Sequence, residues 1–476
     1  MSYSRLNRWL AIILIAGFSG CARFQTHPIS PAETAARLDA RSLSDPAFKA
    51  FLETNLHTQF PSRPLKRWDF ETLNLAALYY HPSLDVARAQ WQTSEGGKTT
   101  AAARPNPNLN VTPGYAIVPS GAISPWFPAV TLDVPIETMG KRGYRKAQAA
   151  HLSESARLNI VTAAWQVRAN LRASLIDFTT AREREKLLQN QLAIQKQIVN
   201  SLEQQLQAGA VTASELTLVR IALGKIQLDL TDARRQSADA RGRVADSIGV
   251  SAKALAGVDL AYDLAAIPRA AASLTSSEAR NQALRGRADI LASLAEYAAT
   301  QSALQLEIAK QYPDIHLGPG YQYDLGDHKF SLAISADLPL FNQNQGPIAE
   351  AEGKRAEAAA KFNALQAKTL GEIDRAIMAF RVTRENLSTL ESLSSAQKKQ
   401  YAAVQAQVNA GAATKADLLN SQIELAASEL VQLDGRVKLQ QAFAALEDAI
   451  QRPFDSMNPS LSEQSPRPQA MKEKQP

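Results

Sequence analysis

Cysteine is almost absent from this chain of 476 residues, in which Cys21 is the single example. One cysteine cannot build a disulfide framework or a cysteine-based zinc site within one chain. Aromatic residues make up only 6% of the sequence although hydrophobic residues make up 45%, and alanine supplies much of the difference. Because alanine is the strongest helix former, this composition favours closely packed helices over a large aromatic core.

The sequence also lacks the common motifs of enzymes. It has no glycine-rich phosphate loop, no His-Glu-x-x-His zinc motif and no nucleophile elbow, so we expect neither catalysis nor a cofactor. Its 52 basic and 46 acidic residues are mixed along the chain rather than clustered, and the formal charge is +6. Nothing therefore indicates a nucleic-acid partner. The six histidines show no metal-ligand spacing and fall at His27, His57, His81, His151, His316 and His328.

Residues 1–20 have the pattern of a signal peptide. Two arginines precede an apolar run over residues 9–15 that is too short to span a bilayer. Small residues then lead directly to Cys21, an order that resembles the lipobox of bacterial lipoproteins, in which the cysteine is acylated and becomes the mature N-terminus. We therefore expect a lipid anchor at Cys21. The alternative is an ordinary signal peptide that is cleaved nearby.

The two ends of the mature chain are polar and rich in helix breakers. Prolines interrupt residues 21–66 five times, so we expect this lead segment to be extended and only partly ordered. Residues 453–476 are rich in proline and serine, and we expect a disordered tail.

Proline is absent and glycine nearly so from residues 142–207, which predicts a helix about 100 Å long. The run breaks at residues 208–210 and resumes to about residue 248. Apolar residues recur on both arms at alternating intervals of three and four, which predicts an antiparallel coiled-coil hairpin; the alternative for each single stripe is a core-facing helix. The outgoing stripe is Leu188, Leu192, Gln195, Val199, Leu202 and Leu206, and the return stripe is Leu216, Val219, Leu223, Ile226, Leu230 and Ala233.

The period of the pattern changes from 3.6 to 2 just before this hairpin. Apolar and polar residues alternate over about 108–118 and 128–137, which predicts two antiparallel strands. Strands of about ten residues have the length that a transmembrane β-strand needs. Their alternation is typical of a wall with lipid on one side and water on the other.

The whole plan occurs twice, because a first repeat over 67–260 is followed by a second over 261–452. The second repeat has predicted strands at about 314–324 and 329–340 and a helical hairpin at about 347–450. Matching residues occur in the same order on the same elements, which indicates an internal duplication. The identities pair Pro107, Pro113, Gly114, Tyr115, Ala208, Gly209, Ala210 and Thr212 with Pro313, Pro319, Gly320, Tyr321, Ala410, Gly411, Ala412 and Thr414.

Four strands in one chain cannot close around a pore, and open sheet edges are not tolerated in lipid. A cyclic trimer is a simple way to close such a sheet, since three copies would supply twelve strands and a water-filled lumen. We therefore expect a mainly helical fold with a membrane portion, in which a trimeric 12-stranded β-barrel continues into a 12-helix periplasmic α-barrel. The alternative is a soluble β-sheet with one wet face.

The duplicated plan of two strands and a long hairpin resembles the TolC-type outer-membrane efflux family over essentially the whole mature chain. The Gly-Lys-Arg at 140–142 and the Leu-Pro-Leu-Phe-Asn-Gln-Asn-Gln-Gly at 338–346 resemble the branch that serves heavy-metal exporters of the cobalt–zinc–cadmium type. The resemblance implies a homotrimer in the outer membrane of a Gram-negative bacterium, acting as the passive export duct of a tripartite system. The implied partners are a periplasmic adaptor and an inner-membrane RND-type pump, and the implied cargo is heavy-metal cations or other small toxic solutes.

Two alternatives to this function stay open. A drug-efflux or type I secretion duct of the same family would carry whatever its own pump delivers. A periplasmic adaptor or coiled-coil scaffold would also have a signal peptide and a helical hairpin, but it should show one hairpin flanked by compact β domains.

The tips of the two hairpins are the first candidate sites. Gly209 and Gly411 permit the tight reversal of the chain. Thr212 and Thr414 can cap the returning helices through their hydroxyl groups. The turn and the caps alone would explain these residues, while the resemblance implies that the tips also dock on the adaptor.

Four carboxylates are further candidates. Glu215 and Asp417 lie three residues after the capping threonines, where a negative charge favours the N-terminus of a helix. In a trimer they would also place six carboxylates near the tunnel entrance, which could favour cations. Asp133 and Asp337 are predicted to line the pore.

His316 also falls on the predicted lumen side of its strand. Asp324 and His328 flank the turn that follows. A transient metal contact there is the alternative to ordinary solvated polar residues, and we assign no metal site.

Overall fold

The computed structural model describes residues 24–57, 67–117, 124–324 and 326–454. The predicted signal peptide, Cys21 and the tail from residue 455 onward lie outside this part of the chain. Within it, two repeats follow one another in the predicted order of short helices, two strands and a long helical hairpin.

The first repeat begins with two short helices and ends with a long hairpin. Its elements are α3 (Phe70–Tyr80), α4 (Pro82–Ala102), β2 (Asn108–Thr112), β3 (Ala129–Ile136), α5 (Lys141–Gln207) and α6 (Ala213–Ile248). The second repeat has the same order, with α8 (Ser276–Gly286), α9 (Ala288–Ala309), β5 (Ile315–Asp324), β6 (Asp327–Ala336), α10 (Gln345–Asn409) and α11 (Lys415–Ile450). At 67 and 65 residues, α5 and α10 are each about 100 Å long.

The described part of the lead segment, residues 24–57, contains two helices, contrary to our expectation of an extended chain. It forms α1 (Pro31–Asp39) and α2 (Pro46–Leu56). Each helix has an oxygen-bearing cap residue, Ser30 or Asp45, followed by proline at the first helical position. This Ser/Asp-Pro pair is itself a helix-start signal, because proline at that position loses no hydrogen bond.

The lead segment packs against the body of the protein. Phe48 of α2 is fully buried and lies 6.1 Å from the ring of Trp68 and 5.1 Å from that of Tyr80, measured between centroids. The guanidinium of Arg41 donates hydrogen bonds of 2.7 Å to the carbonyl oxygens of Tyr80 and Gly249, where α3 and α6 end. Orphan carbonyls at two helix ends are thereby satisfied by one side chain.

The second repeat satisfies its corresponding helix end from within. Arg287, which follows α8 directly, donates a 2.7 Å hydrogen bond to the carbonyl of Ala449 near the end of α11. The residue that follows α3 in the first repeat is His81, so the guanidinium there comes from the lead segment instead.

The connection between the repeats returns to the start of the first one. It contains a short 3₁₀ helix (Ala252–Leu255), β4 (Asp259–Leu260) and α7 (Arg269–Ser273). Strand β4 pairs in parallel with β1 (Arg67–Trp68). This two-stranded sheet contributes Trp68 and Leu260 to an apolar core, to which α2, α3, α5 and α6 also contribute buried residues.

Strands β2, β3, β5 and β6 form one antiparallel sheet in the order β2-β3-β5-β6, so β2 and β6 are its free edges. The regular part of β2 ends at Thr112, earlier than predicted, and one isolated bridge from Tyr115 to Trp126 continues the pairing. Strand β6 ends at Ala336, so Asp337 lies past the end of the observed strand, although it fell within the predicted one.

The hairpins pack through more than their own two arms. The predicted stripes of α5 and α6 are buried or half-buried, with Leu188, Leu230 and Ala233 in one cluster. On α11, however, Leu419 and Ala426 pack against Ile194 of α5. Heptad spacing in the sequence of α11 predicts an apolar stripe of Leu419, Ile423, Ala426, Leu430, Leu433 and Val437. This stripe faces the other hairpin and joins the two hairpins into one wall. Among the residues described, no helix is both long enough and apolar enough to cross a membrane.

Candidate functional site

The first hairpin tip is a tight reversal built from backbone hydrogen bonds and a reciprocal cap. Gly209 has φ +69°, and its amide donates to the carbonyl of Leu206 at 3.0 Å. The Thr212 hydroxyl accepts from the amide of Glu215 at 3.3 Å, while the Glu215 carboxylate accepts from the amide of Thr212 at 2.9 Å. Such a capping box satisfies two amides that the helix itself leaves unpaired.

The second tip repeats this geometry. Gly411 has φ +74°, and its amide donates to Val408 at 3.0 Å. Asp417 donates its amide to the Thr414 hydroxyl at 3.2 Å, and its carboxylate accepts from the Thr414 amide at 2.9 Å. The side-chain and backbone hydrogen bonds from Thr414 hold the pKa of the Asp417 carboxyl below its usual value. Both carboxylates are therefore engaged in caps, and both glycines have open space around them.

Polar contacts connect the two arms near each tip. Arg220 forms an ion pair with Glu203 at 2.6 Å across the first hairpin. In the second hairpin, Gln422 donates to the hydroxyl of Tyr401 at 3.0 Å. The Arg220–Glu203 ion pair is exposed, and a pair of this kind contributes only about 0–1 kcal/mol.

One face of the four-stranded sheet is polar. Asp133 pairs with Asn108 across β3 and β2 and belongs to this face. His316 of β5 reaches Asp133, with 3.0 and 3.1 Å between its Nδ1 and the two carboxylate oxygens. Asp337 is exposed and lies past the end of β6. The structure thus places His316 beside Asp133. It does not place His316 beside Asp324 and His328, which a metal contact shared by these residues would have required.

The opposite face of the sheet is apolar and open. The register aligns rows of apolar residues across it, such as Val111, Val130, Tyr321 and Phe330. Several of these side chains are far more exposed than a folded soluble surface favours, which indicates an apolar environment. The exposed fractions are Leu109 62%, Val111 61%, Phe330 82%, Leu332 66% and Ile334 70%.

Two long helices also carry exposed apolar residues along their outer faces. They are Leu218, Ile221 and Leu228 on α6, and Met378, Val382 and Leu393 on α10. Nothing among the described residues covers these side chains.

A buried ionic cluster, which the sequence did not reveal, connects the two repeats. The Glu447 carboxylate of α11 accepts from Arg168 at 2.6 Å and also from Arg172, both on α5. All three side chains are 4% exposed or less. Both guanidinium groups lie over the ring of Phe70, at 4.6 and 4.5 Å from its centroid. One feature of the sequence could have predicted the burial of these arginines: they share a three- and four-residue spacing with Leu171 and Leu175, which are buried.

Burial also changes the protonation of the next residue. Desolvation raises the pKa of the Asp448 carboxyl to about 6, against the opposing effect of Arg172. This cluster is structural in its chemistry, since each charge is directed at another charge within the fold. Among the residues the structure describes, no group of three or more His, Cys, Asp or Glu side chains is placed to hold a metal ion.

The sequence model of the outer membrane efflux protein family matches residues 75–250 and 279–451. The chain belongs to the outer membrane efflux protein family. Each of the two matched segments begins within the first helix of a repeat, α3 or α8, and ends just after its hairpin. The family resemblance predicted from the sequence is thereby confirmed, and the protein is an outer-membrane efflux channel.

Individual relatives agree with the family. This outer membrane efflux protein is 25% identical over 312 residues to the cobalt-zinc-cadmium resistance protein CzcC of Cupriavidus metallidurans, covering 65% of this chain and 72% of the relative. Its fold is similar to that of CusC, with a TM-score of 0.64 at 15% identity over 80% of this chain and 91% of CusC. The outer-membrane channel OprN has a TM-score of 0.68 at 18% identity over 91% and 99%.

Proposed function

We propose that the protein is the passive export duct of a tripartite efflux system in the outer membrane of a Gram-negative bacterium. The observation that carries this proposal is the sheet, which is apolar and open on one face, polar on the other, and unpaired at both edges. Lipid satisfies the apolar face and water the polar face of such a wall. The edges can only be satisfied in lipid by further strands.

A homotrimer completes the wall. Three sheets joined from β6 of one chain to β2 of the next give a 12-stranded barrel, whose lumen is wide enough for water. The four long helices of each chain then give a 12-helix tunnel. The exposed apolar residues of α6 and α10, which nothing covers among the described residues, supply further surface for contact between copies.

The remaining parts of the system follow from this orientation. The hairpin tips point away from the sheet by about 100 Å, so they reach into the periplasm and dock on the adaptor that recruits the RND-type pump. Gly209, Thr212, Gly411 and Thr414 shape those tips. Cys21 carries the lipid anchor on the membrane side.

Heavy-metal cations are the proposed cargo class. The relative named a cobalt-zinc-cadmium resistance protein and the junction sequences at 140–142 and 338–346 support this class over others. A duct for drugs or secreted polypeptides would have the same fold, since the pump selects the cargo. The scaffold alternative has less support because the chain holds two equivalent hairpins and a four-stranded sheet with one open apolar face.

The channel itself is tested with purified full-length protein. We expect outer-membrane fractionation, trimers after cross-linking, and stable pores in planar lipid bilayers. Wild-type protein should incorporate radioactive palmitate, and the Cys21→Ser variant should not. Release of the protein from membranes by high salt, without trimers or pores, would contradict the channel and favour a scaffold.

The cargo is tested in cells that lack the gene but retain the pump and adaptor. We expect increased sensitivity to Zn²⁺, Co²⁺ or Cd²⁺ and rescue by the wild-type gene. Increased sensitivity to drugs with unchanged metal tolerance would assign the duct to the drug-efflux alternative.

Docking is tested at the second tip. Ala412→Glu places a charge on the exposed tip, and Ala403→Glu places the same charge on an exposed position of α10 farther up the hairpin. We expect cross-linking to the adaptor to be lost only in the tip variant. Equal loss in both variants would mean that the tip is not the docking surface.

The proposed acidic ring at the tunnel entrance has its own test. Glu215→Gln combined with Asp417→Asn removes the charges but keeps side-chain oxygens that can accept the capping hydrogen bonds. A lower preference for cations over anions in bilayer measurements is expected. An unchanged preference would mean that both carboxylates serve only as caps.

A further inference from the structure

The polar face of the sheet holds one histidine in a defined orientation. His316 lies on β5, and its Nδ1 is 3.0 and 3.1 Å from the two carboxylate oxygens of Asp133 on β3. Thr131 pairs with Gly320 and Val134 pairs with Leu317, so the register of the two strands places Gly318 opposite Asp133. Because that glycine has no side chain, the imidazole can approach the carboxylate diagonally across the strands.

This contact determines which ring nitrogen carries the proton. An ionised carboxylate only accepts hydrogen bonds, so Nδ1 of His316 must be the donor. In the neutral ring, Nε2 then keeps a free lone pair. The same arrangement, in which a carboxylate accepts from one ring nitrogen and a metal binds the other, orients most metal-binding histidines and increases their basicity.

The pair is open to solvent rather than buried. The side chains of His316 and Asp133 are 33% and 39% exposed. A cation moving along this face could therefore reach Nε2 and also experience the negative charge of Asp133. Asn108 and Ser335, which pair with Asp133 and His316, are uncharged and small. The Asp314 carboxylate is within electrostatic range of His316 but forms an ion pair with Lys141 at 2.8 Å.

A second histidine on the same sheet provides a natural comparison. His328 of β6 pairs with Tyr323 and so lies on the apolar face. Its Nδ1 is 2.7 Å from the hydroxyl of Tyr321. A hydroxyl can donate or accept, so this contact does not fix the tautomer as Asp133 does.

We propose that Nε2 of His316 is a weak, exchangeable ligand for divalent transition-metal cations such as Zn²⁺, and that Asp133 is its positioning residue. This inference rests on the proposed function, which places the polar face on the water-filled lumen. Imidazole suits zinc and similar metals, whereas Mg²⁺ prefers oxygen ligands. A single imidazole per chain, with water completing the coordination, binds far less tightly than the three or four protein ligands of a resident zinc site. Weak binding is what a duct requires.

The test measures the K⁺ current of purified full-length protein in planar bilayers while ZnCl₂ is added. We expect Zn²⁺ to lower the current reversibly, with recovery after addition of EDTA, because each bound ion adds positive charge to the wall. MgCl₂ at the same concentration should have much less effect. His316→Gln should remove the response to Zn²⁺, and His328→Gln should retain it. Asp133→Ala should raise the Zn²⁺ concentration for half-maximal effect by about 10- to 100-fold.

The variants also separate this inference from the proposed function. A normal K⁺ current in metal-free buffer shows that His316→Gln still forms the channel. An unchanged Zn²⁺ response in that variant, or an equal response to Mg²⁺, would overturn the ligand and leave the duct intact. If wild-type protein formed no pores at all, the proposed function would fail, and this inference with it.

Discussion

Removal of the Glu447 carboxylate should destabilise the protein more than removal of a comparable surface charge. Glu447 neutralises two guanidinium groups, Arg168 and Arg172, that are almost inaccessible to water. In Glu447→Gln the amide has nearly the same shape. Its oxygen can accept from one arginine, but its NH₂ group faces the other, and the charge is lost.

The expected magnitude follows from the burial. Removing one partner of a buried ion pair leaves an uncompensated charge and typically costs about 3–5 kcal/mol. The contacts of both guanidinium groups with the Phe70 ring lower this cost, so we expect a loss of about 3 kcal/mol in the free energy of unfolding. The matched control is Glu350→Gln, because Glu350 pairs with Lys354 at 2.6 Å and the two side chains are 66% and 64% exposed. The control should cost less than about 1 kcal/mol.

Tryptophan fluorescence of the detergent-solubilised protein reports the unfolding. Trp68 and Trp165 are buried in the helical body near the cluster, so their emission should shift when it unfolds. A large domain loses about 2 °C in Tm for each kcal/mol, which gives a fall of roughly 6 °C for Glu447→Gln. If the two variants melt at the same temperature, the cluster does not stabilise the junction of the repeats and the reasoning from burial is wrong.

Three further predictions concern other elements of the fold. Burial raises the pKa of Asp448 to about 6, so the folded chain binds more protons than the unfolded chain between about pH 4 and 6. The stability of the protein therefore falls as the pH rises through that window. In thermal melts, Asp448→Asn should be more stable than wild type by about 1–3 kcal/mol at pH 7 and similar to it at pH 4. Gly249→Ala should lower the free energy of unfolding by at least about 2 kcal/mol, because φ is +84° and the new Cβ would lie 2.9 Å from the backbone of His81. The control Gly257→Ala, at φ +74° in open space, should lower it by about 1 kcal/mol. Equal losses in chemical unfolding would exclude the backbone contact as the cause. Thr414→Ala should remove a helix cap that contributes about 1 kcal/mol. Amide hydrogen exchange in the first turn of α11 should then become about fivefold faster. Thr414→Ser keeps the hydroxyl group and should leave the exchange rate unchanged.

Features that depend on neighbouring residues could be predicted from the sequence. The absence of proline and glycine gave the long helices, and the change of period gave the strands. The tips followed from a glycine in the left-handed region and a threonine three residues before a carboxylate. Each of these signals is complete within a few residues of chain, so no knowledge of the partner is needed. The two helices of the lead segment belong to the same class, because the Ser30-Pro31 and Asp45-Pro46 signals that start them are also local.

Features that depend on distant segments could not be predicted in this way. Heptad spacing on α11 indicated an apolar stripe but not that it faces α5. Arg41 satisfies a helix end 208 residues away, and Arg168 meets Glu447 across 279 residues. In sequence these are charged residues of the kind that normally lie at the surface.

The sequence by itself thus determined the elements, their duplication and the family, because periodicity, caps and turns are local properties of the chain. Only the tertiary structure decided which faces meet, which charges are buried, and that His316 is held by Asp133 on the polar face of the sheet. Those choices depend on the free energy of packing between segments far apart in the chain, and no local pattern encodes that energy.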